Sequence, residues 1–206
     1  MRLQHGIAER GTAYLVVSGG STPIHLFSIL ADADVEWGRV VVLLADERWV
    51  PVDHEDSNER LVRETLLTAK AHQAQFVSLL PTPEDEIANI AGLSTLLGAL
   101  PRFDMVLLGM GEDAHTASLF PGTEAPTITD HWATVGRGKG LDRITLTAPV
   151  LSAARQVIFL VSGAGKQEAL RRLVDPSESS ERTPARLVQP ASDVLILADQ
   201  DATASL

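Results

Sequence analysis

The stretch 109–122, GMGEDAHTASLFPG, carries the residue best suited to moving a proton, His115. An ordinary imidazole titrates near neutrality, so it can act as base or acid at working pH. Glu112 and Asp113 precede it and can either orient the ring or satisfy amides in the turn. A histidine in such a turn can equally be a satisfied structural residue, so its meaning depends on what else reaches it. Gly19-Gly20-Ser21-Thr22 offers backbone N–H groups, two hydroxyls and the start of a following helix. That combination is a seat for phosphate, or else only a tight strand-to-helix connection. In Asp46-Glu47-Arg48, the guanidinium is a rigid fork that suits phosphate or carboxylate oxygens, or an intramolecular pair with Asp46. Lys166, four residues after Ser162, and Arg143, just before Ile144, can meet the same anion or stay solvated. A phosphate seat beside a histidine base is equipment for general-base chemistry on a phosphorylated metabolite.

Other chemistries lack their residues. His5, His25, His54, His72 and His131 show no paired spacing such as HExxH, and the chain has no cysteine, so no metal is expected. No GxSxG elbow presents a serine nucleophile. The Gly19–Thr22 turn is neither GxGxxG nor a Walker loop, and no cofactor is implied. A formal net charge of -10 argues against nucleic-acid and anionic-membrane partners, while leaving room for a small anion in a locally cationic cleft. No apolar run approaches the roughly 20 residues of a bilayer span. The first eleven residues are mixed polar without an apolar signal core, so a cytoplasmic protein is expected.

The elements that must position these residues read as an alternation. Apolar runs at 14–17, 40–44, 76–80, 105–108, 133–135, 144–146, 157–161 and 194–198 have the length and composition of strands. Leu3 and Ile7 mark a short helix, as do Ile24, Leu26, Phe27 and Leu30 after Pro23. Asn58 is placed as the N-cap of a helix carrying Leu61, Val62, Thr65 and Leu66. Residues 84–100 form a helix with Ile87, Ile90, Ala91 and Leu97 on its apolar side, and 166–174 form another. Strands alternating with helices predict a three-layer α/β/α sandwich with a mostly parallel, Rossmann-like sheet in a single domain over 1–206. Ligands of such sheets bind beyond the carboxyl ends of the strands. Segments 18–22, 46–48, 109–115 and 162–166 each follow an apolar strand directly, so four polar clusters are expected to converge on one edge.

These residues also carry a family resemblance. SGGSTP at 18–23, ADERWVP at 45–51, DSN at 56–58, GMGEDAHTASLFPG, RITLT at 143–147, SGAGK at 162–166 and PARLVQP at 184–190 occur in the order found in 6-phosphogluconolactonases. The chain resembles that family along nearly its whole length. The resemblance implies metal-free hydrolysis of 6-phospho-D-glucono-1,5-lactone to 6-phosphogluconate, a step of the oxidative pentose phosphate pathway. It implies His115 as general base, with Asp113 and Asp46 orienting base and cations. Gly19, Gly20, Ser21, Thr22, Arg48, Asn58 and Lys166 then bind the sugar phosphate, with Arg143 assisting. The related glucosamine-6-phosphate isomerases and deaminases carry an acid in the loop after the histidine, whereas Thr116-Ala117-Ser118-Leu119-Phe120 has none. A catalytically silent sugar-phosphate sensor is the remaining alternative. Three departures stand out: Ala114 where the family has glycine, a shorter first helix, and Lys139-Gly140-Leu141-Asp142 without the usual prolines. If position 114 needs a positive φ, alanine there costs on the order of 1 kcal/mol. Monomer and weak dimer both remain open.

Overall fold

The computed structural model describes residues 2–204 and 206. In chain order its strands are β1 (Ala13–Val17), β2 (Val40–Leu44), β3 (Asp46–Arg48), β4 (Gln75–Val77), β5 (Met105–Gly109), β6 (Ala133–Gly136), β7 (Arg143–Leu146), β8 (Val157–Val161) and β9 (Leu195–Ala198). Its helices are α1 (Arg2–Arg10), α2 (Ile24–Ala31), α3 (Asn58–Thr65), α4 (Glu86–Ala99), α5 (Ala148–Ser152), α6 (Gln167–Val174) and α7 (Gln200–Thr203). Six strands form one sheet in the order β4-β2-β1-β5-β8-β9, and every pairing in it is parallel. This is the α/β sandwich that the alternation predicts.

The physical reason is visible in β2, whose residues Val40 to Leu44 are all buried. A continuous β-branched and aliphatic run is stable as a central strand only with cover on both faces, which the helical connections supply. Leu15 to Val17 lie in register with Val42 to Leu44 on one side and with Met105 to Leu107 on the other, through the middle of the core. From β1 the chain winds outward through β2 to β4, then returns to β5 and winds the other way. The reversal therefore falls between β1 and β5, the crevice where such sheets bind ligands.

Several local readings change. The runs at 133–135 and 144–146 do not join the main sheet. With β3 they form a separate antiparallel sheet, β3-β7-β6, that overhangs the carboxyl edge. Ser57, not Asn58, caps α3: its backbone is extended and its hydroxyl accepts from the Arg60 amide. Asn58 is free for other bonds. On α4 the buried positions are Asn89, Leu93 and Leu97, whereas Ile87 is 82% exposed. The polar Asn89 belongs inside because it donates to the Leu79 carbonyl and accepts from the Thr82 amide, fixing the preceding turn. Periodicity of apolar residues alone missed that. No described helix is long and apolar enough to cross a membrane.

Candidate active site

Four strand ends do meet. Ser18, Gly19, Gly20, Ser21 and Thr22 after β1, Asp46 and Arg48 of β3, Gly109 to Gly111 and His115 after β5, and Lys166 after β8 line one cleft of about 210 Å³. Asn58 from α3 and Arg143 from β7 complete its wall. Of the site residues expected from sequence, only Asp113 stays off the lining, and it lies directly behind the histidine.

The histidine is held by a tight turn. The Ala114 amide donates to the Gly111 carbonyl, and the Gly111 amide donates to the His115 carbonyl. Asp113 Oδ1 lies 2.5 Å from His115 Nδ1 and also accepts from the His115 amide at 3.2 Å. A carboxylate accepts only, so Nδ1 carries the proton and Nε2 keeps its lone pair. Burial pushes the His115 pKa down, and the Lys139 charge adds to this, against the upward pull of Asp113 and Asp46. The ring is therefore neutral at pH 7. For Asp113, burial acts upward, but the bond and charge of His115 and the bond from Lys139 outweigh it and bring the carboxyl to about 2. Phe120 packs against the imidazole with ring centroids 4.7 Å apart.

The glycine requirement in this turn is steric at position 111. A Cβ there would meet His115 Nδ1 at 2.0 Å and Asp113 Oδ1 at 2.5 Å. Ala114 adopts φ +66° and is fully buried, so the left-handed conformation suspected from sequence is real and is occupied by an L-residue.

The cations come from the small sheet. Arg48 and Arg143 are direct partners in the β3–β7 ladder, and both side chains line the cleft. Like charges placed opposite each other repel, so the arrangement favours an anion between them. Arg48 does not pair with Asp46. Its Nη1 donates to Asn58 Oδ1 at 2.6 Å and to the Asp56 carbonyl at 2.7 Å, leaving the rest of the fork without an acceptor among the described residues. Asp46 instead accepts from Ser118 Oγ at 2.5 Å and faces Arg143 Nη1 at 3.9 Å. Asn58 Nδ2 donates to the Asp46 carbonyl at 2.8 Å, tying α3 to the same strand. Arg143 also stacks over Phe120, 5.2 Å from the ring centre.

Next to Asn58, which leaves no room for a Cβ on Gly19, the amides of Gly19, Gly20, Ser21 and Thr22 have no protein acceptor among the described residues. Lys166 likewise has no ion pair among them. Unpartnered donors and cations around one cleft are what an oxyanionic ligand needs. Among the described residues no group of three or more His, Asp or Glu side chains is placed to hold a metal ion.

Three supporting residues escaped the sequence reading. Glu47 alternates away from the cleft into α3, where its buried carboxylate accepts from the amides of Arg48, Asn58 and Glu59 and from Ser57 Oγ. Burial raises its pKa, and these four bonds oppose that rise. It locks the strand that carries Arg48 to the helix that carries Asn58. Ser118 links the histidine segment to Asp46 across 72 residues. Lys139 reaches Asp113 from the β6–β7 loop, with Nζ 3.0 Å from Oδ2. Only Glu47 left a local signal, an acid at the centre of a strand turn; the other two contacts join segments distant in sequence.

Comparison with known proteins identifies the family. Residues 1–197 match the family model for glucosamine-6-phosphate isomerases/6-phosphogluconolactonase. The chain is 40% identical to a 6-phosphogluconolactonase of Synechocystis sp., over 100% of this chain and 89% of that protein. It is 39% identical to one of Rhizobium meliloti, over 94% and 87% respectively. A crystal structure of a 6-phosphogluconolactonase from Shewanella baltica superposes with a TM-score of 0.89 at 36% identity, covering 96% of this chain and 88% of that one. The chain belongs to the glucosamine-6-phosphate isomerase/6-phosphogluconolactonase family.

Proposed function

We propose that this protein hydrolyses 6-phospho-D-glucono-1,5-lactone to 6-phosphogluconate, the reaction named in its full-length relatives. The observation that carries the reading is the His115–Asp113 pair facing, within one cleft, the register-paired Arg48 and Arg143. The substrate class is a sugar phosphate, and its phosphate is the remote handle. Gly19 to Thr22, Arg48, Asn58 and Lys166 surround it, so that binding energy positions the carbonyl. Arg143, fixed by Asp46, serves the phosphate or the oxyanion that forms at the carbonyl.

His115 Nε2 takes a proton from water while the water oxygen bonds to the lactone carbonyl carbon. The carbonyl oxygen becomes the oxyanion of a tetrahedral intermediate. As that intermediate collapses, the ring C–O bond breaks and the imidazolium returns its proton to the departing ring oxygen. The sugar acid is released with its new carboxyl proton passing to solvent, and His115 is again neutral. Asp113 holds the Nδ1–H tautomer throughout and balances the transient imidazolium.

The loop that follows the base, Thr116 to Phe120, contains no carboxyl, which disfavours a ring-opening isomerase. The direct test is lactone turnover by the purified protein above the spontaneous background, with His115→Ala as the control. The reading requires a loss of about 10²- to 10⁴-fold in that variant. A protein that adds nothing to the background, or binds 6-phosphogluconate without turning over the lactone, refutes it.

A further inference from the structure

The chain from the last residue of β6 to the start of β7 reads Gly136-Arg137-Gly138-Lys139-Gly140-Leu141-Asp142. Two of its glycines lie where it presses on the histidine segment. A Cβ on Gly136 would meet the Ser118 carbonyl oxygen at 2.5 Å, and one on Gly138 would meet Phe120 Cδ2 at 2.9 Å. Lys139 and Gly140 follow with φ of +55° and +88°, two left-handed residues in succession. That conformation is unfavourable for a lysine, so the surrounding structure must hold it. On the outer side Arg137 donates to Glu86 at the start of α4, at 2.9 Å, and anchors the loop. The inner side delivers the Lys139 ammonium to the base. Its Nζ is 3.0 Å from Asp113 Oδ2 and 3.3 Å from His115 Nδ1. Asp113 thus spends one oxygen on the imidazole N–H and the other on the lysine.

We propose that Lys139 is a positioning residue for the base: it holds the second oxygen of Asp113 and sets a positive charge beside the ring, so that His115 stays neutral with Nε2 free to take a proton. The proposal rests on the reading of His115 as general base. Asp113 alone would orient the ring but would also favour its protonated form, because an adjacent carboxylate stabilises imidazolium. Lys139 leaves the orientation and opposes the charge. The other charged groups facing the ring are Asp46 from β3, which acts in the same direction as Asp113, and Arg143 from β7 beyond Phe120. Arg48 and Lys166 also line the cleft. Lys139 is therefore the cation that contacts the pair directly. It is half exposed, so its effect is that of a screened charge at close range.

The test compares Lys139→Met and Lys139→Arg with the wild-type protein in two measurements. The first is the NMR titration of the His115 ring. The second is kcat/KM for the lactone, corrected for spontaneous hydrolysis, at about pH 6 and about pH 8. Both are taken relative to wild type, which cancels the substrate's own phosphate ionisation. Lys139→Met is expected to move the ring midpoint upward. Its loss of kcat/KM at about pH 6 should exceed that at about pH 8 by roughly two- to fourfold, within the about fivefold limit set by one charge near 4 Å in water. Lys139→Arg should restore both. An unmoved ring midpoint overturns the proposal, as does an equal loss at both pH values carried in KM, which would make the lysine a substrate ligand. The ring titration needs no turnover, so it tests the Lys139 coupling even if the lactonase reading fails.

Discussion

Arg48 and Arg143 stand directly opposite each other in the antiparallel β3–β7 ladder, two like charges in one register. Nothing in a stable fold calls for that pairing, and in a sheet it is unfavourable. An anion bound between them removes the repulsion, so ligand binding and stability should be linked. Inorganic phosphate or 6-phosphogluconate is expected to raise the thermal midpoint of the wild-type protein. Arg48→Ala should weaken that rise and increase KM about tenfold with a smaller change in kcat. A KM unchanged in Arg48→Ala would take the arginine out of substrate binding.

Lys166→Met separates binding from architecture. Arg48 holds Asn58 and the Asp56 carbonyl, so its removal should also cost about 1 kcal/mol of stability. Lys166 has no ion pair among the described residues. Its variant should raise KM by a similar factor while the unfolding free energy from urea titration changes by less than about 0.5 kcal/mol. Equal destabilisation in the two variants would contradict this division.

Gly111→Ala should disable the base without unfolding the protein. The new methyl group has no room beside Nδ1, so the imidazole must move by about an ångström, which is enough to cost roughly 10²-fold in kcat. Near-wild-type kcat in a folded variant would show that the turn adapts.

The acid limb of kcat/KM should lie below the ordinary histidine value of 6.5, because burial and Lys139 lower the His115 pKa. The sign follows directly: a lowered pKa keeps the neutral base down to lower pH, and activity is lost only as pH falls through that value. Asp113→Asn removes the main upward influence. It should move the limb lower still, while kcat falls roughly 10²- to 10⁴-fold through loss of the correct tautomer. A limb displaced upward in Asp113→Asn would reverse the assignment.

Ala114→Gly should stabilise the protein by about 0.5–1 kcal/mol, read from urea unfolding. Relief of the left-handed alanine outweighs the greater freedom of glycine in the unfolded chain. A loss of stability would mean that packing of the buried methyl group matters more.

The sequence by itself determined the layer architecture and the place of the site. Continuous apolar runs such as Val40 to Leu44 can be satisfied only inside a sheet covered on both faces, and helices between them make that sheet parallel. Polar clusters that interrupt such runs then have one edge to occupy, which is why Gly19 to Thr22, Arg48, His115 and Lys166 were legible together. Which atoms pair there was decided by tertiary structure. That Arg48 takes Asn58 rather than Asp46, that Ser118 reaches Asp46, and that Lys139 reaches Asp113 depend on how the small antiparallel sheet lies over the strand ends. Local periodicity carries no record of contacts between segments tens of residues apart, and polar pairing follows geometry rather than spacing. The histidine was readable in the chain; the set of groups that surrounds it was assembled by the fold.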